Sequence, residues 1–594
     1  MKKAFWSFLS FTAIIFVLQC CKNNSTKIGD SDNKFVVQSL FAKHYPFFDP
    51  QVLKSIVSQR VINDSLLQPL YAGKEYNLLW INDTLNTEHL NGFINILTKS
   101  REHGLPANLF NSLSIASLVD SINSGLLSDS SILYNRLAYL EHTSARIITS
   151  YVNGMTYGFV KPEKLYKEDF AIKLNTADSA FYSNLYNDIL SDPVAAMQKS
   201  EPSDSIYLAV MKEYKALLDH EGWAFDKIKE IEGANYRLGA KNKNIAAIAR
   251  RLTITGEYTL PIINDTLAID SINNDVIGIH ELTPELMAAI NTFRRKNSLP
   301  VDEKEVGNAT IKALNRPLDY YKTKLCANLE RYRWRRTKQP ADKHIEVNVA
   351  AFLLFATQKD SIPMAIKVCV GKPSSKTPML ESNMKYINLN PKWNVPVSIA
   401  KNEISVLQKN DPTYLKRHNM KLYKGGKEVD YKTIDWSKVN PVRLGYTIVQ
   451  ESGGGNALGR LKFMFNNDFS VYLHDTPVKS AFGKINRAVS HGCIRVQQPL
   501  DLAYFLTDAN NLYKDRIRYS IGYEPATKEG KEALKADKLK KLSDIISMNK
   551  DKPVTIFIDY FTVYHHPVDN SLYYADDIYE YDDAIVKELE MVPV

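Results

Sequence analysis

Apolar residues recur three, four and seven positions apart through the N-terminal region and alternate with polar ones through the C-terminal half, so two kinds of structure are predicted. From about Phe35 to Asn235 the period is helical. Leu90, Phe93, Ile94 and Leu97 form one stripe, and Leu133, Leu137, Leu140, Ile147 and Tyr151 form another. These stripes predict helices packed on one another as a scaffold, broken by Gly154 and Gly158 ahead of Pro162. From His344 onward the apolar positions alternate. Ile345, Val347 and Val349 are followed by Ile366, Val368 and Val370, by Val471 with Leu473, and by Val554, Ile556 and Ile558. Alternation belongs to strands with one buried face, so the fold class is multidomain α+β. Between Ser398 and Asn440 it stops: Ala400, Ile404 and Leu407 fit a short helix that ends at Asp411-Pro412. A mostly helical and irregular insertion of this kind inside a sheet domain serves as a lid or binding loop.

A smaller unit, about Tyr236 to Pro317, lies between these regions. Ile245, Ile248 and Leu252 mark one helix and Leu286, Ile290 and Phe293 a second, which Thr283 is placed to cap and Pro284 to begin. The phrase from Ile290 to Asp302, followed by Val306-Gly307-Asn308-Ala309-Thr310 and Leu314-Asn315, resembles the small three-helix peptidoglycan-binding domain. The glycine usual after the aspartate is Glu303 here. That resemblance implies contact with the cell wall; a spacer of the same fold that no longer binds is the alternative.

The N-terminus adds a compartment. Lys2 and Lys3 precede an apolar run from Ala4 to Leu18, shorter than the roughly 20 residues of a spanning helix, and the run ends at Cys20 and Cys21. The segment 1–21 therefore reads as an export signal. It resembles a bacterial lipoprotein signal, in which the cysteine after the cleavage point carries lipid. Cys21 fits that pattern better, with Leu18 three residues before it, while Cys20 stays open because Gln19 is atypical; ordinary secretion is the alternative. Residues 22–34 are polar and have almost nothing to bury, as a flexible tether would. The expected location is the cell envelope, on the periplasmic side, with the chain held to a membrane through its lipid or signal. The five parts are thus the signal 1–21, the tether 22–34, the scaffold 35–235, the small module 236–317 and the sheet domain 318–594 with its insertion 398–440. The 594 residues are 44% hydrophobic and 24% charged, which suits several folded domains. The net charge of +9 is spread along the chain and marks no nucleic-acid surface.

Beyond the signal only Cys326, Cys369 and Cys493 remain, an odd number that argues against a disulfide framework. Cys369 fits a strand and Cys326 a buried helix face. Cys493 differs by its surroundings. It lies in Ser490-His491-Gly492-Cys493-Ile494-Arg495, and 19 residues before it stands His474, within Tyr472-Leu473-His474-Asp475-Thr476. A thiol attacks a carbonyl once its proton is removed, and imidazole is the usual base. In a strand Val471 and Leu473 would point into the core while Tyr472 and His474 face a cleft. Asn466-Asn467-Asp468, following Phe463 and Phe465, supplies the turn of a hairpin leading into that strand. His491-Gly492 would form a tight turn whose N–H groups approach a substrate oxygen, with the Tyr472 hydroxyl as a further donor. Zinc held by His474, His491 and Cys493 is the rival reading, and no further ligands stand at zinc-site spacings. A papain-like protease would place its cysteine first and its histidine far downstream, the reverse of this order.

The catalytic phrases resemble those of the bacterial L,D-transpeptidases with a YkuD-type catalytic domain. The match includes His474 and Ser490-His491-Gly492-Cys493. Asn328-Leu329-Glu330-Arg331-Tyr332-Arg333-Trp334, Val370-Gly371-Lys372-Pro373-Ser374, Asn390-Pro391-Lys392-Trp393-Asn394-Val395-Pro396 and Gly455-Asn456-Ala457-Leu458-Gly459-Arg460 are similar to phrases of the large scaffolded subgroup. The resemblance implies ping-pong acyl transfer on peptidoglycan stem peptides, with Cys493 as nucleophile, His474 as base and Asp475 as the place to seek the backbone carbonyl that orients the histidine. Tyr472 and the backbone of His491, Gly492 and Cys493 would form the oxyanion site beside Ser490. Arg495 would hold a substrate carboxylate, with a structural salt bridge as the alternative. Trp393 and Asn394 would line the cleft entrance under the insertion. No metal or cofactor is implied. The resemblance further implies 3→3 cross-linking, inhibition by carbapenems and work alongside other cell-wall synthases. L,D-carboxypeptidase action, ligation of a protein to the wall and a non-catalytic wall-binding lipoprotein are the alternatives.

Overall fold

A computed structural model describes residues 41–593 apart from 73–74, 82–83, 220–226, 260–261, 264–265, 268–279, 335, 338 and 439–440. The export signal, Cys20, Cys21 and the tether lie outside the described residues. Among the described residues no helix is long and apolar enough to cross a membrane. The chain divides into two compact units. One takes the residues up to Thr98 with 110–151 and 179–199, and the other takes 99–109, 152–178 and everything from Ser200 onward.

The first unit is helical, as its periodicity predicts. In the helix Thr87–Lys99, Leu90, Phe93 and Leu97 are buried; the covered face extends to Ile96, and Ile94 sits at its half-exposed margin. Leu133, Leu137, Leu140, Ile147 and Tyr151 are all buried on the helix Ser130–Tyr157. Beside them is a buried carboxyl. Glu141 accepts the Tyr71 hydroxyl at 2.8 Å and the Leu79 N–H at 2.6 Å, and burial pushes its pKa up to about 7.

The expected break at Gly154 does not occur. The helix runs on to Tyr157 and ends at Gly158, whose φ of 92° is the left-handed geometry of a helix stop. Gly154 serves packing instead, since a Cβ there would lie 2.2 Å from the Phe159 ring.

The second unit gathers stretches that periodicity alone had assigned to the scaffold. The helix Leu318–Arg333 ties them in. Glu330 accepts the Val160 N–H at 2.7 Å and Arg333 at 2.9 Å, while Arg333 also bonds the His103 carbonyl and, at 2.9 Å, the Tyr207 hydroxyl. Phe170–Ala171 even adds a parallel edge strand to the large sheet, with Phe170 opposite Met379. Contiguous sequence therefore does not bound this unit at residue 235.

The small module has its three helices, Lys243–Ile254, Pro284–Lys296 and Asn308–Leu314, around a core that includes Ile248, Leu252, Leu286, Ile290 and Phe293. Thr283 caps the second by accepting the Leu286 N–H. Arg294 is only 3% exposed and binds the carbonyls of Asp302 and Glu305, so the family-like phrase here is architectural.

The strands close into a barrel. In hydrogen-bonded order they are Met379–Leu389, Leu461–Phe465, Leu473–His474, Ile494–Val496, Met364–Gly371, Leu353–Gln358, Lys343–Asn348 and Thr555–Asp559, and the last pairs back onto the first. Closure removes the open edges and buries Ile345, Val347, Ile366, Val368, Ile556 and Ile558 together. The insertion begins helically, with Val397–Ile399, a π-helix Ala400–Ile404 and Ser405–Asn410. Its later part differs from the expected helical and irregular chain. Met420–Lys424 and Lys427–Val429 join Trp393–Asn394 and Tyr446–Gln450 in a separate four-stranded sheet. The strands are only two to five residues long, too short for alternation to stand out among so many lysines.

Candidate active site

Three adjacent strands of the barrel carry their polar residues in one row. Lys462 lies opposite His474, and His474 lies opposite Arg495. Their neighbours Leu461, Phe463, Leu473, Ile494 and Val496 are buried in the core, so the period of two turns the row outward. The hairpin read from Asn466-Asn467-Asp468 is present, with Phe463 paired to Leu473. Above the row is a cavity of about 1110 Å³. The barrel supplies its floor with Lys462, Tyr472, His474, Ser490, His491, Cys493 and Arg495. The insertion supplies the facing wall, including Ile399, Glu403, Leu407 and Tyr414, and Trp393 and Asn394 also line it.

Cys493 is half-buried at the start of the strand Ile494–Val496 and follows a turn fixed from several sides. Gly492 has φ 109°, a conformation other residues rarely adopt. Ser490 Oγ donates to the Cys493 carbonyl at 2.6 Å and accepts the Gly492 N–H at 3.1 Å. Thr377 Oγ1 donates to the Gly492 carbonyl at 2.8 Å and accepts the Gly371 N–H at 2.9 Å. One expectation is thereby corrected: the Gly492 N–H is already bonded to the serine hydroxyl and is not free for a substrate oxygen. Gly492 and Ser490 brace the turn. Among the described residues the Cys493 N–H has no partner, and it remains the backbone donor beside the sulfur.

His474 is 5% exposed, and its Nδ1 lies 2.5 Å from the Asp475 carbonyl oxygen. A carbonyl only accepts, so Nδ1 carries the hydrogen and Nε2 keeps its lone pair. Asp475 is held in turn by its own carboxylate, which accepts Thr476 N–H at 2.7 Å, Lys479 Nζ at 2.6 Å and Arg460 N–H at 2.9 Å. Gly459 packs against it so closely that a Cβ would come within 2.3 Å. The Gly455 to Arg460 phrase thus contributes by fixing the aspartate whose carbonyl aims the imidazole.

The electrostatics favour neutral partners at rest. Burial drives the His474 pKa down to about 3, the cations Arg495 and Lys462 add to that lowering, and the Asp475 carbonyl and carboxylate oppose it without reversing it. Burial raises the Cys493 thiol, against the lowering pull of Tyr472, Lys462 and Arg495. Burial also raises the Tyr472 hydroxyl, which stays protonated and able to donate. The pair at rest is a thiol and a neutral imidazole with a lone pair on Nε2.

Arg495 makes no ion pair among the described residues, and its Nε is buried without a hydrogen-bond partner. The salt-bridge alternative is therefore not what the fold displays. Lys462 was missed from the sequence. It stands 3.8 Å over the Tyr472 ring, and burial lowers its pKa. The signal was available, because Phe463 and Phe465 facing the core put position 462 on the histidine's side. Thr377 and Glu403 were missed as well, and no local pattern marks either. The His491 side chain turns to the insertion, with Nε2 2.5 Å from a Glu403 oxygen. Among the described residues no group of three or more His, Cys, Asp and Glu side chains is arranged to hold a metal ion.

Residues 342–530 match the family model of the YkuD L,D-transpeptidase catalytic domain, and residues 65–213 match that of a scaffold domain. A curated protein of Haemophilus influenzae named "Putative L,D-transpeptidase" is 33% identical over 166 residues, which cover 27% of this chain and 33% of that protein. The chain thus spans about a third of the length of the curated relative it matches. A crystal structure of an L,D-transpeptidase from Xylanimonas cellulosilytica is 11% identical with a TM-score of 0.16, covering 56% of this chain and all of that one.

Proposed function

We propose that this chain, whose residues 342–530 match the YkuD L,D-transpeptidase catalytic domain, cross-links peptidoglycan by cysteine acyl transfer. The observation that carries the reading is the row Lys462, His474 and Arg495 beside Cys493, with the histidine held by the Asp475 carbonyl. The donor is a stem tetrapeptide. Cys493 Sγ attacks the carbonyl of its third residue as His474 Nε2 takes the thiol proton. The Cys493 N–H and the Tyr472 hydroxyl steady the oxyanion. His474 returns the proton to the departing amine of the terminal D-residue, leaving a thioester on Cys493. An acceptor amine then attacks the thioester; His474 takes its proton and the sulfur leaves as a thiolate that is reprotonated. A new amide forms, as in a 3→3 cross-link. Arg495, a cation that makes no ion pair among the described residues, suits a carboxylate of the donor.

The cavity wall formed by the insertion limits the water that would turn transfer into hydrolysis. Carbapenems would acylate the same sulfur. An envelope location, a lipid on Cys21 or Cys20, wall contact through the small module and work beside other synthases belong to the same reading.

Intact-protein mass spectrometry tests it. Chain lacking residues 1–34 and incubated with disaccharide-tetrapeptide is expected to gain a thioester adduct and yield cross-linked dimer lacking one terminal D-residue. Cys493→Ala should give neither. Wall binding without adduct or product would replace the enzyme by a wall-binding lipoprotein.

A further inference from the structure

The cavity over Cys493 is strongly asymmetric in charge. Lys372, Lys392, Lys462 and Arg495 all line it, whereas Glu403 is its single carboxylate among the described residues. Lys392 is matched outside that set by Glu451 at 2.8 Å. The others make no ion pair among the described residues. Carboxylates of stem peptides have several places to settle, but a cationic substrate group has one.

Glu403 is also built into place. It belongs to the π-helix Ala400–Ile404, where Ser405 Oγ bonds the Ala400 carbonyl at 2.6 Å. Such widened turns recur at functional sites because they re-aim a side chain that a regular helix would direct elsewhere. Here the side chain reaches the catalytic loop and meets His491, two residues before Cys493. His491 takes one carboxylate oxygen, and among the described residues no donor takes the other. The side chain is 43% exposed and lines the cavity.

We propose that Glu403 is the docking point for the ammonium group of the acceptor peptide, gathering the second substrate at the cavity wall beside Cys493. This rests on the acyl-transfer reading above, in which the acceptor supplies an amine. An aliphatic amine with a pKa near that of lysine, about 10.4, arrives charged at neutral pH. A carboxylate attracts that form and stabilises it, so the amine must leave Glu403 and lose a proton before it attacks. Glu403 therefore collects acceptors without activating them, and its loss should raise the acceptor KM more than it lowers kcat.

The test uses the full chain with Cys493→Ala, so that no chemistry intervenes. The ligand is a stem tripeptide, which has no L,D amide to present to position 493. It is titrated by calorimetry with its side-chain amine free and with that amine acetylated. The free amine is expected to bind about three- to tenfold more tightly. Adding Glu403→Gln should bring the two forms together. His491→Gln, which releases the carboxylate without removing it, should keep the preference and guards against a folding failure of the first variant. A preference that survives Glu403→Gln, or an equal weakening of both forms, overturns the proposal and leaves Glu403 as a strut between insertion and loop. Failure of the acyl-transfer reading is seen separately, as the absence of an adduct on unmodified Cys493.

Discussion

The helix Leu318–Arg333 and the cleft beside Cys493 both remove charge from water, and they treat it in opposite ways. On the helix every buried cation has a carboxylate. Lys324 and Arg331 share Asp582 at 3.3 and 2.6 Å, and Arg333 meets Glu330 at 2.9 Å, all with side chains 0–4% exposed. In the cleft Arg495 and Lys462 have none among the described residues, and Glu403 is half-engaged by one histidine. Charges paired in the dry interior hold segments of one chain together and are strongly missed when one partner is removed. Charges left with spare capacity at the rim of a cavity await a partner from outside. The same residue types thus read as architecture or as function according to whether a carboxylate of the chain already faces them.

Removing the shared carboxylate should give the largest effect. Asp582→Asn strands two buried cations and is expected to cost about 3–5 kcal/mol of stability in denaturant titration. A loss below about 1 kcal/mol would mean that the helix charges are not structural and would dissolve the contrast.

Arg495→Leu should do the reverse. It removes a cation that makes no ion pair among the described residues, so stability is expected to change by less than about 1 kcal/mol. The rate of adduct formation with tetrapeptide should fall about 10- to 100-fold, the worth of one charge-assisted hydrogen bond. A lowered melting temperature with normal acylation would move Arg495 to the architectural class.

The smallest effect expected is an absence. With its pKa pushed down to about 3, His474 is in its neutral, basic form throughout the range above about pH 4. Acylation measured by stopped samples should therefore show no limb near the ordinary histidine pKa of about 6.5. The thiol is displaced the other way, so alkylation of Cys493 should climb only above the ordinary thiol value of 9.0. A rate that falls between about pH 7 and pH 5 would show that a protonatable group was misjudged.

Much of the site was legible because its order is local. Val471 to Asp475 alternate between core and cleft as period two requires, and the hairpin before them was announced by turn residues. The backbone carbonyl expected at Asp475 lies against Nδ1 of His474. The Gly492 N–H was misassigned because its competitor, the Ser490 hydroxyl, folds back through a turn that linear spacing does not reveal. Lys462 was within reach of the same alternation and was passed over. Thr377 stands 115 residues from the carbonyl it holds and Glu403 stands 88 from His491, separations at which no local pattern speaks. The small insertion sheet was hidden by strands too short to show a period.

By itself the sequence determined the helical and strand-forming regions, the three-helix module and the Cys493 and His474 pair, since each follows from periodicity or from residue types close along the chain. Only the tertiary structure decided that the Gly492 N–H is taken by Ser490, which cations make no ion pair among the described residues, how stretches from 99–109, 152–178 and 200–235 join the unit that holds the barrel, and what faces Cys493 across the cavity. These depend on barrel closure and on contacts between residues tens to hundreds of positions apart. Such contacts are selected by packing and by the satisfaction of buried polar groups over the whole chain, and no single segment encodes them.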